Sequence, residues 1–86
     1  MKLVQYYINP CQSCDQIANL LRGMDLSHIH WEKVDTSNLE LAHLQKTQVK
    51  TVPTLILYNN QGNEIKRKSG ALTKKQLEDF LGLESN

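Results

Sequence analysis

The sequence contains no long hydrophobic run. Its longest apolar stretch, around residues 55–58, is far shorter than the ~20 residues that a membrane-spanning helix requires. Residues 1–4 begin like a leader peptide, but Gln5 and then Asn9-Pro10 interrupt the apolar segment that a secretory signal needs. We therefore expect no membrane partner and a cytoplasmic protein.

A strong net charge is also missing. Ten lysines and arginines oppose nine aspartates and glutamates, which gives a formal charge of +1, so no overall field argues for nucleic acid or an acidic substrate. The charges are unevenly spread, because residues 46–75 carry seven cations against Glu64 alone. Tyr58 is the single Phe, Tyr or Trp residue of this segment, so the cations are not interleaved with a series of aromatic residues to stack on bases. We interpret the segment as a solvated face and expect no nucleic-acid partner; a docking face is the alternative.

The chain is too short for two domains. Its 86 residues amount to one compact unit, which usually takes roughly 100–200 residues. The 40% hydrophobic and 22% charged residues are ordinary for a folded protein. We expect a single domain over residues 1–86 that is a monomer, with residues 83–86 as a frayed tail.

The first half of the chain alternates between strand and helix patterns. Residues 3–8 are apolar and aromatic, which predicts a buried strand. From Cys14 onward the apolar residues recur at helical spacing, at Ile17, Leu20, Leu21 and Met24. Residues 29–34 predict a second strand, and Ser37-Asn38-Leu39-Glu40 matches a capping box that predicts the start of a second helix.

The second half predicts a strand pair and a final helix. Residues 51–58 are the most strand-like run, with Pro53 at the beginning or on an edge because proline cannot donate to a ladder. A turn separates them from a second strand over 64–69, and Thr73 with Gln76 forms a capping box for the last helix. The order β-α-β-α-β-β-α predicts an α/β fold in which three helices flank a mixed four-stranded sheet.

The two cysteines of the chain lie where the first strand gives way to the first helix. Residues three apart share a helix face at about 5–6 Å between Cβ atoms, so a small distortion allows Cys11 and Cys14 to form a disulfide. Cys11 at the helix N-terminus would be stabilised as a thiolate by unpaired amides and the helix dipole, which makes it the candidate nucleophile. Cys14 would be more buried and would act as the resolving thiol.

The other residues of the turn suit this chemistry. Pro10 fixes the chain just before the turn and withholds one amide. Gln12 and Ser13 are polar enough to face solvent while donating hydrogen bonds toward sulfur.

Two metal sites are alternative uses of the same cysteines. A zinc site would need His28 and His30, but their single intervening residue departs from the usual His-x₃₋₅-His spacing. An iron–sulfur cluster would need four thiolates, and therefore dimerisation or external thiols. We expect neither a metal nor another cofactor.

Three sequence blocks resemble the thioredoxin and glutaredoxin superfamily: Pro-Cys-Gln-Ser-Cys at 10–14, Val-Lys-Thr-Val-Pro-Thr at 49–54 and Ser-Gly-Ala-Leu-Thr-Lys-Lys-Gln-Leu-Glu-Asp-Phe-Leu at 69–81. The resemblance implies a minimal thioredoxin fold and thiol–disulfide exchange through a redox-active disulfide between Cys11 and Cys14. It also implies that Val52-Pro53 is a cis peptide and that the backbone of Val52 pairs with an extended substrate segment, for which Gly70 leaves room. The implied partners are disulfide-containing proteins, with a flavin disulfide reductase or glutathione as electron donor.

The chain departs from both branches of that superfamily. Thioredoxins typically carry a buried Asp ahead of the first cysteine, paired with a Lys of the next strand, where this chain has Gln5 and Trp31. Glutaredoxins typically carry a basic residue before Pro-x-Cys and a Gly-Gly-x-Asp turn for glutathione, where this chain has Asn9 and residues 70–73. We therefore predict a thioredoxin-like reductase of protein disulfides. A glutathione-dependent glutaredoxin and a non-enzymatic metal-binding or docking module are the alternatives.

Overall fold

The computed structural model describes residues 1–83. Its helices and strands, numbered in chain order, are β1 Lys2–Tyr7, α1 Gln12–Arg22, β2 His30–Asp35, α2 Leu41–Thr47, β3 Thr54–Tyr58, β4 Glu64–Ser69 and α3 Lys74–Leu81, with a short 3₁₀ turn at Thr36–Asn38 before α2. Over the described part of the chain, every helix is too short or too polar to cross a bilayer.

The four strands form one mixed sheet in the order β2-β1-β3-β4. Strand β1 runs parallel to β2, and the pairing extends from Lys2 with His30 to Tyr7 with Asp35. Strand β3 is antiparallel to β1 and to β4. The predicted element order, the mixed sheet and the three flanking helices are therefore confirmed, and β1 and β3 are the two interior strands.

The sheet buries a separate apolar cluster on each face. On the first face, helices α1 and α3 pack on alternate residues of β1 and β3, in a cluster of Leu3, Ile17, Leu21, Ile29, Leu55, Leu57, Leu72, Leu77, Phe80 and Leu81. On the second face, α2 and the segment after it cover the other alternate residues, in a smaller cluster of Val4, Tyr6, Val49 and Ile56. Because both faces of β1 and β3 are buried, apolar residues occupy most successive positions of these strands and not only alternate ones.

The last helix begins and ends as its sequence predicts. The Thr73 side chain accepts a hydrogen bond from the backbone amide of Gln76. The Gln76 side chain accepts one from the backbone amide of Thr73, which completes the capping box. Gly82 ends the helix in the left-handed region at φ 72°. Leu83 was expected to begin a frayed tail, which is wrong: its amide donates to the Glu78 carbonyl and its side chain packs on the first-face cluster. Residues 84–86 of that expected tail lie outside the described residues.

The capping box expected at Ser37–Glu40 is wrong. The Asp35 carboxylate accepts hydrogen bonds from the backbone amide and the hydroxyl of Ser37, at 2.9 and 2.7 Å. The Ser37 side chain is therefore bonded within the 3₁₀ turn and does not cap α2. These hydrogen bonds hold the pKa of Asp35 below its usual range. Helix α2 starts later, at Leu41, after Glu40 as an N-cap without a side-chain hydrogen bond. An acidic residue two positions earlier thus outcompetes the predicted cap.

Helix α1 begins at Gln12 with Cys11 as its N-cap, so Cys11 lies at the helix N-terminus as expected. Strand β3 begins at Thr54 rather than at Thr51, because residues 51–53 form a bend in which the Thr54 hydroxyl donates to the Thr51 carbonyl at 2.6 Å.

Leu77 gives a test of how far the fold depends on the first-face cluster. Its side chain is fully buried between α3 and the sheet, so Leu77→Ala removes packed methyl groups and should lower the free energy of unfolding by about 2–5 kcal/mol. The matched control is Leu41→Ala, since Leu41 is 69% exposed and should change stability by less than about 0.5 kcal/mol. Urea unfolding followed by circular dichroism measures both. Equal effects of the two substitutions would contradict the packing described here.

Candidate redox site at the start of the first helix

Cys11 and Cys14 form a disulfide at the N-terminus of α1, with their Cα atoms 5.2 Å apart. Cys11 is the N-cap residue, in extended conformation at φ −156° and ψ 105°, and Cys14 lies in the first helical turn. The Cys14 amide donates to the Cys11 sulfur at 3.2 Å. Sulfur therefore occupies the place that a serine or aspartate oxygen takes in an ordinary helix cap.

The two sulfurs differ in accessibility. Cys11 is half-buried, whereas Cys14 is 2% exposed and packs beneath the first turn. The flanking Pro10 and Gln12 are exposed, and the Ser13 hydroxyl lies 3.6 Å from the Cys11 sulfur. A molecule approaching from solvent can reach Cys11, while Cys14 lies behind it.

A buried glutamine lies beneath the disulfide. Gln5 on β1 is fully buried, and its side-chain amide donates to the Cys14 carbonyl at 3.0 Å. The Trp31 indole on β2 donates to the Gln5 side-chain oxygen at 3.2 Å. An indole N–H can only donate, so this contact fixes which end of the Gln5 amide faces Cys14. Trp31 and Gln5 thus form one hydrogen-bonded chain that ends at the helix carrying the cysteines.

The segment before β3 lies at the same edge of the sheet. Thr54, the first residue of β3, pairs with Tyr6 near the end of β1, and the chain leaves β1 toward Cys11 from that end. The expected cis peptide at Val52-Pro53 is confirmed. A second cis peptide, at Asn9-Pro10, carries no sequence signal beyond the proline itself and was not anticipated.

Gly70 is joined to this segment by a backbone hydrogen bond. Its amide donates to the Pro53 carbonyl at 2.9 Å. Gly70 has a φ of 90°, and a Cβ built there would meet no atom within 4 Å. Glycine is therefore required by the backbone conformation, which other residues rarely adopt, and the space beside it is open. The structure brings Val52, Pro53 and Gly70 together as one strip, in which Val52 and Gly70 are half-buried and Pro53 is buried between them and the sheet.

The histidines proposed as zinc ligands lie away from the cysteines. His30 pairs with Lys2 at the start of β1, whereas Cys11 follows the end of that strand, about 16 Å further along the sheet. Within residues 1–83, the structure holds no group of three or more His, Cys, Asp or Glu side chains placed to bind a metal ion.

Comparison with known proteins assigns the family. The thioredoxin family profile matches residues 1–82. The chain belongs to the thioredoxin family. This membership and the Cys11–Cys14 disulfide together support a thioredoxin-like redox function. A search of curated protein sequences finds no match.

Two solved structures share the architecture of this chain. The protein Trxlp from Edwardsiella tarda EIB202 is 31% identical, with a TM-score of 0.80 over 93% of this chain and 80% of that one. A mutant thioredoxin from Halobacterium salinarum NRC-1 is 21% identical, with a TM-score of 0.79 over 92% of this chain and 69% of that one. At 21% identity, the similarity to the Halobacterium protein shows a shared fold and nothing more. The predicted thioredoxin fold is confirmed.

Gln5→Leu tests the hydrogen-bonded chain beneath the disulfide of this thioredoxin-family protein. Leucine keeps the volume but leaves the Trp31 N–H without its acceptor and removes one hydrogen bond from the Cys14 carbonyl. We expect a loss of about 1–3 kcal/mol in the free energy of unfolding, together with a shifted Trp31 emission maximum. Chemical denaturation followed by tryptophan fluorescence measures both.

The matched control is Gln16→Leu, the same substitution at an exposed position of α1. It should change stability by less than about 0.5 kcal/mol and leave the emission maximum in place. If Gln5→Leu behaved like this control, the buried chain would contribute nothing to the site.

Proposed function

We propose that this protein reduces disulfide bonds in other proteins, with Cys11 as nucleophile and Cys14 as resolving thiol. The observation that carries the proposal is the position of the two sulfurs: one reachable at a helix N-cap, the other buried directly behind it within bonding distance. Such an arrangement admits attack on an external disulfide by one sulfur only.

The first step is attack on the substrate. In the reduced protein, the Cys14 amide that donates to the Cys11 sulfur would stabilise a thiolate there, aided by the positive end of the α1 dipole. The Cys11 thiolate attacks one sulfur of the substrate disulfide. That bond breaks, the other substrate sulfur leaves as a thiolate and takes up a proton, and a mixed disulfide joins Cys11 to the substrate.

The second step releases the product. Cys14 loses its proton to solvent and attacks the Cys11 sulfur, which breaks the mixed disulfide and expels the second substrate sulfur as a thiolate. That thiolate is then protonated. Two electrons have moved from the protein to the substrate, and the protein now holds the Cys11–Cys14 disulfide. A flavin disulfide reductase or glutathione supplies two electrons to restore the dithiol.

The strip of Val52, Pro53 and Gly70 serves as the substrate-binding surface in this proposal. Val52 precedes β3 and lies outside the ladder, whose first pairs join Thr54 to Tyr6 and to Ser69. Its backbone groups can therefore pair with an extended segment of the partner, while the open space at Gly70 accommodates that segment. Pro10, Gln12 and Ser13 form the active-site turn that faces it.

Paired cysteine substitutions test the proposed roles. Cys11→Ser should abolish reduction of insulin disulfides, because the accessible sulfur is lost. Cys14→Ser makes the same chemical change at the buried position and should instead trap a stable mixed disulfide after a single attack. Insulin precipitation measures turnover, and non-reducing electrophoresis with mass spectrometry detects the trapped species.

The proposed function fails if Cys11→Ser reduces insulin at the wild-type rate. Supplying a flavin reductase with its nicotinamide cofactor in one assay, and glutathione with glutathione reductase in another, shows which donor recharges the disulfide. Turnover with glutathione alone would favour the glutaredoxin alternative.

A further inference from the structure

Four exposed lysines surround the strip of Val52, Pro53 and Gly70. We call them the basic rim: Lys50, Lys68, Lys74 and Lys75. Lys50 lies two residues before Val52, Lys68 lies two residues before Gly70 at the end of β4, and the other two open helix α3 shortly after Gly70. The hydrogen bond from Gly70 to the Pro53 carbonyl holds these chain segments together, so the cations flank the strip on both sides.

The charge of the basic rim is not neutralised by neighbours. Among residues 1–83 the ion pairs within 4.0 Å join Lys2 and His30 to Glu32 and Arg67 to Glu64, and none involves the rim. Glu64 is the single acidic residue between positions 46 and 75, and Arg67 engages it with two hydrogen bonds at 2.8 and 2.6 Å. That contact lowers the pKa of Glu64. The carboxylate therefore balances Arg67 and not a rim lysine.

Two acidic residues of α3 lie one helical turn beyond the rim lysines that open it: Glu78 follows Lys74 and Asp79 follows Lys75 by four residues. Asp79 also lines the same shallow depression as Lys68. Neither carboxylate lies within 4.0 Å of a rim ammonium in the described structure, so no rim lysine is held in an ion pair.

Helix stability does not explain the lysines at the start of α3. The N-terminus of a helix carries the positive end of its dipole, where acidic residues are favoured and cations cost up to about 1 kcal/mol each. The first turn of α3 contains no acidic residue and instead begins Lys74-Lys75. These cations add positive charge beside the strip at the end of the helix where the dipole disfavours it.

An open hollow adjoins Val52. It has a volume of about 220 Å³ and is lined by Thr36, Leu44, Val49, Lys50, Thr51 and Val52. The aliphatic side chains of Leu44, Val49 and Val52 are buried or half-buried and form the floor of the hollow. Lys50 and Thr51 are exposed at its mouth. A glutamate side chain matches this lining, because its methylene groups can pack on the aliphatic floor while its carboxylate meets the Lys50 ammonium and the Thr51 hydroxyl.

We propose that the basic rim selects partner proteins whose reducible disulfide is flanked by acidic residues, one of which places its side chain in the hollow beside Val52. This inference rests on the proposed function, since it assigns the substrate class of the same strip. A protein segment fits the rim better than a nucleic acid, because every Phe, Tyr and Trp side chain of residues 1–83 is buried or half-buried, which leaves little surface on which bases could stack.

The test compares three disulfide-containing peptides that differ only in the residues beside the cysteines: glutamate, glutamine or lysine. We expect kcat/KM in the order glutamate, glutamine, lysine at low salt, with about tenfold or more between the first and the last. The preference should shrink when sodium chloride is raised to about 0.5 M, since salt screens exposed charges.

The variant Lys50→Gln/Lys74→Gln removes two rim charges. It should lower kcat/KM for the glutamate peptide by about two- to tenfold, chiefly through KM, since exposed pairs contribute up to about 1 kcal/mol each. The matched control is Lys2→Gln, which also removes a positive charge but lies at the start of β1, at the opposite end of that strand from the disulfide. It should leave all three rates unchanged.

The outcomes separate this inference from the function on which it rests. Equal reduction of the three peptides, with activity still dependent on Cys11, overturns the inference alone. Reduction of the glutamine peptide by Cys11→Ser at the wild-type rate overturns the proposed function. Competition by a single-stranded oligonucleotide at lower concentration than the glutamate peptide would assign the rim to nucleic acid and overturn the inference.

Discussion

The hydrogen bond from the Cys14 amide to the Cys11 sulfur is the interaction on which the site depends. A helix N-terminus needs an acceptor for its free amides, and here the acceptor is the atom proposed to perform the chemistry. The cap stabilises the helix and also provides an environment that favours negative charge on sulfur. The cap and the disulfide share the Cys11 sulfur, so both contacts hold Cys14 behind Cys11 at the start of α1.

The rest of the fold holds that helix end in place. Interior strand β1 ends just before Cys11. Because β1 and β2 are parallel, the chain crosses between them through α1. An apolar cluster on each face of the sheet holds these elements together. Gln5 is the one polar side chain of β1 that is buried with this core, and its two hydrogen bonds offset the cost of burying its amide. Interior strand β3 brings Val52, Pro53 and Gly70 to the same edge, so the proposed nucleophile and the proposed substrate strip are both positioned by rigid elements.

Local sequence signals predicted the parts of the fold that local interactions decide. The cap of α3 followed from Thr73 and Gln76 because both partners lie within one turn. The equivalent pattern at Ser37 failed because Asp35, just outside it, forms the stronger hydrogen bonds. The Cys11–Cys14 pairing followed from spacing on a helix, whereas the cis peptide at Val52-Pro53 followed only from family resemblance. The contact between Gln5 and Trp31 depends on strand register and orientation, which the sequence pattern does not specify.

The acidity of Cys11 is the most direct test of this account. In the reduced protein carrying Cys14→Ser, the rate of alkylation by iodoacetamide is followed between pH 4 and pH 10, which titrates the single remaining thiol. A sulfur that accepts a helix amide should give a midpoint of about 7.5 or below, compared with about 8.5 for a free cysteine. A midpoint at or above about 8.5 would mean that the helix end does not stabilise the thiolate, and the proposed role of Cys11 would have no electrostatic basis.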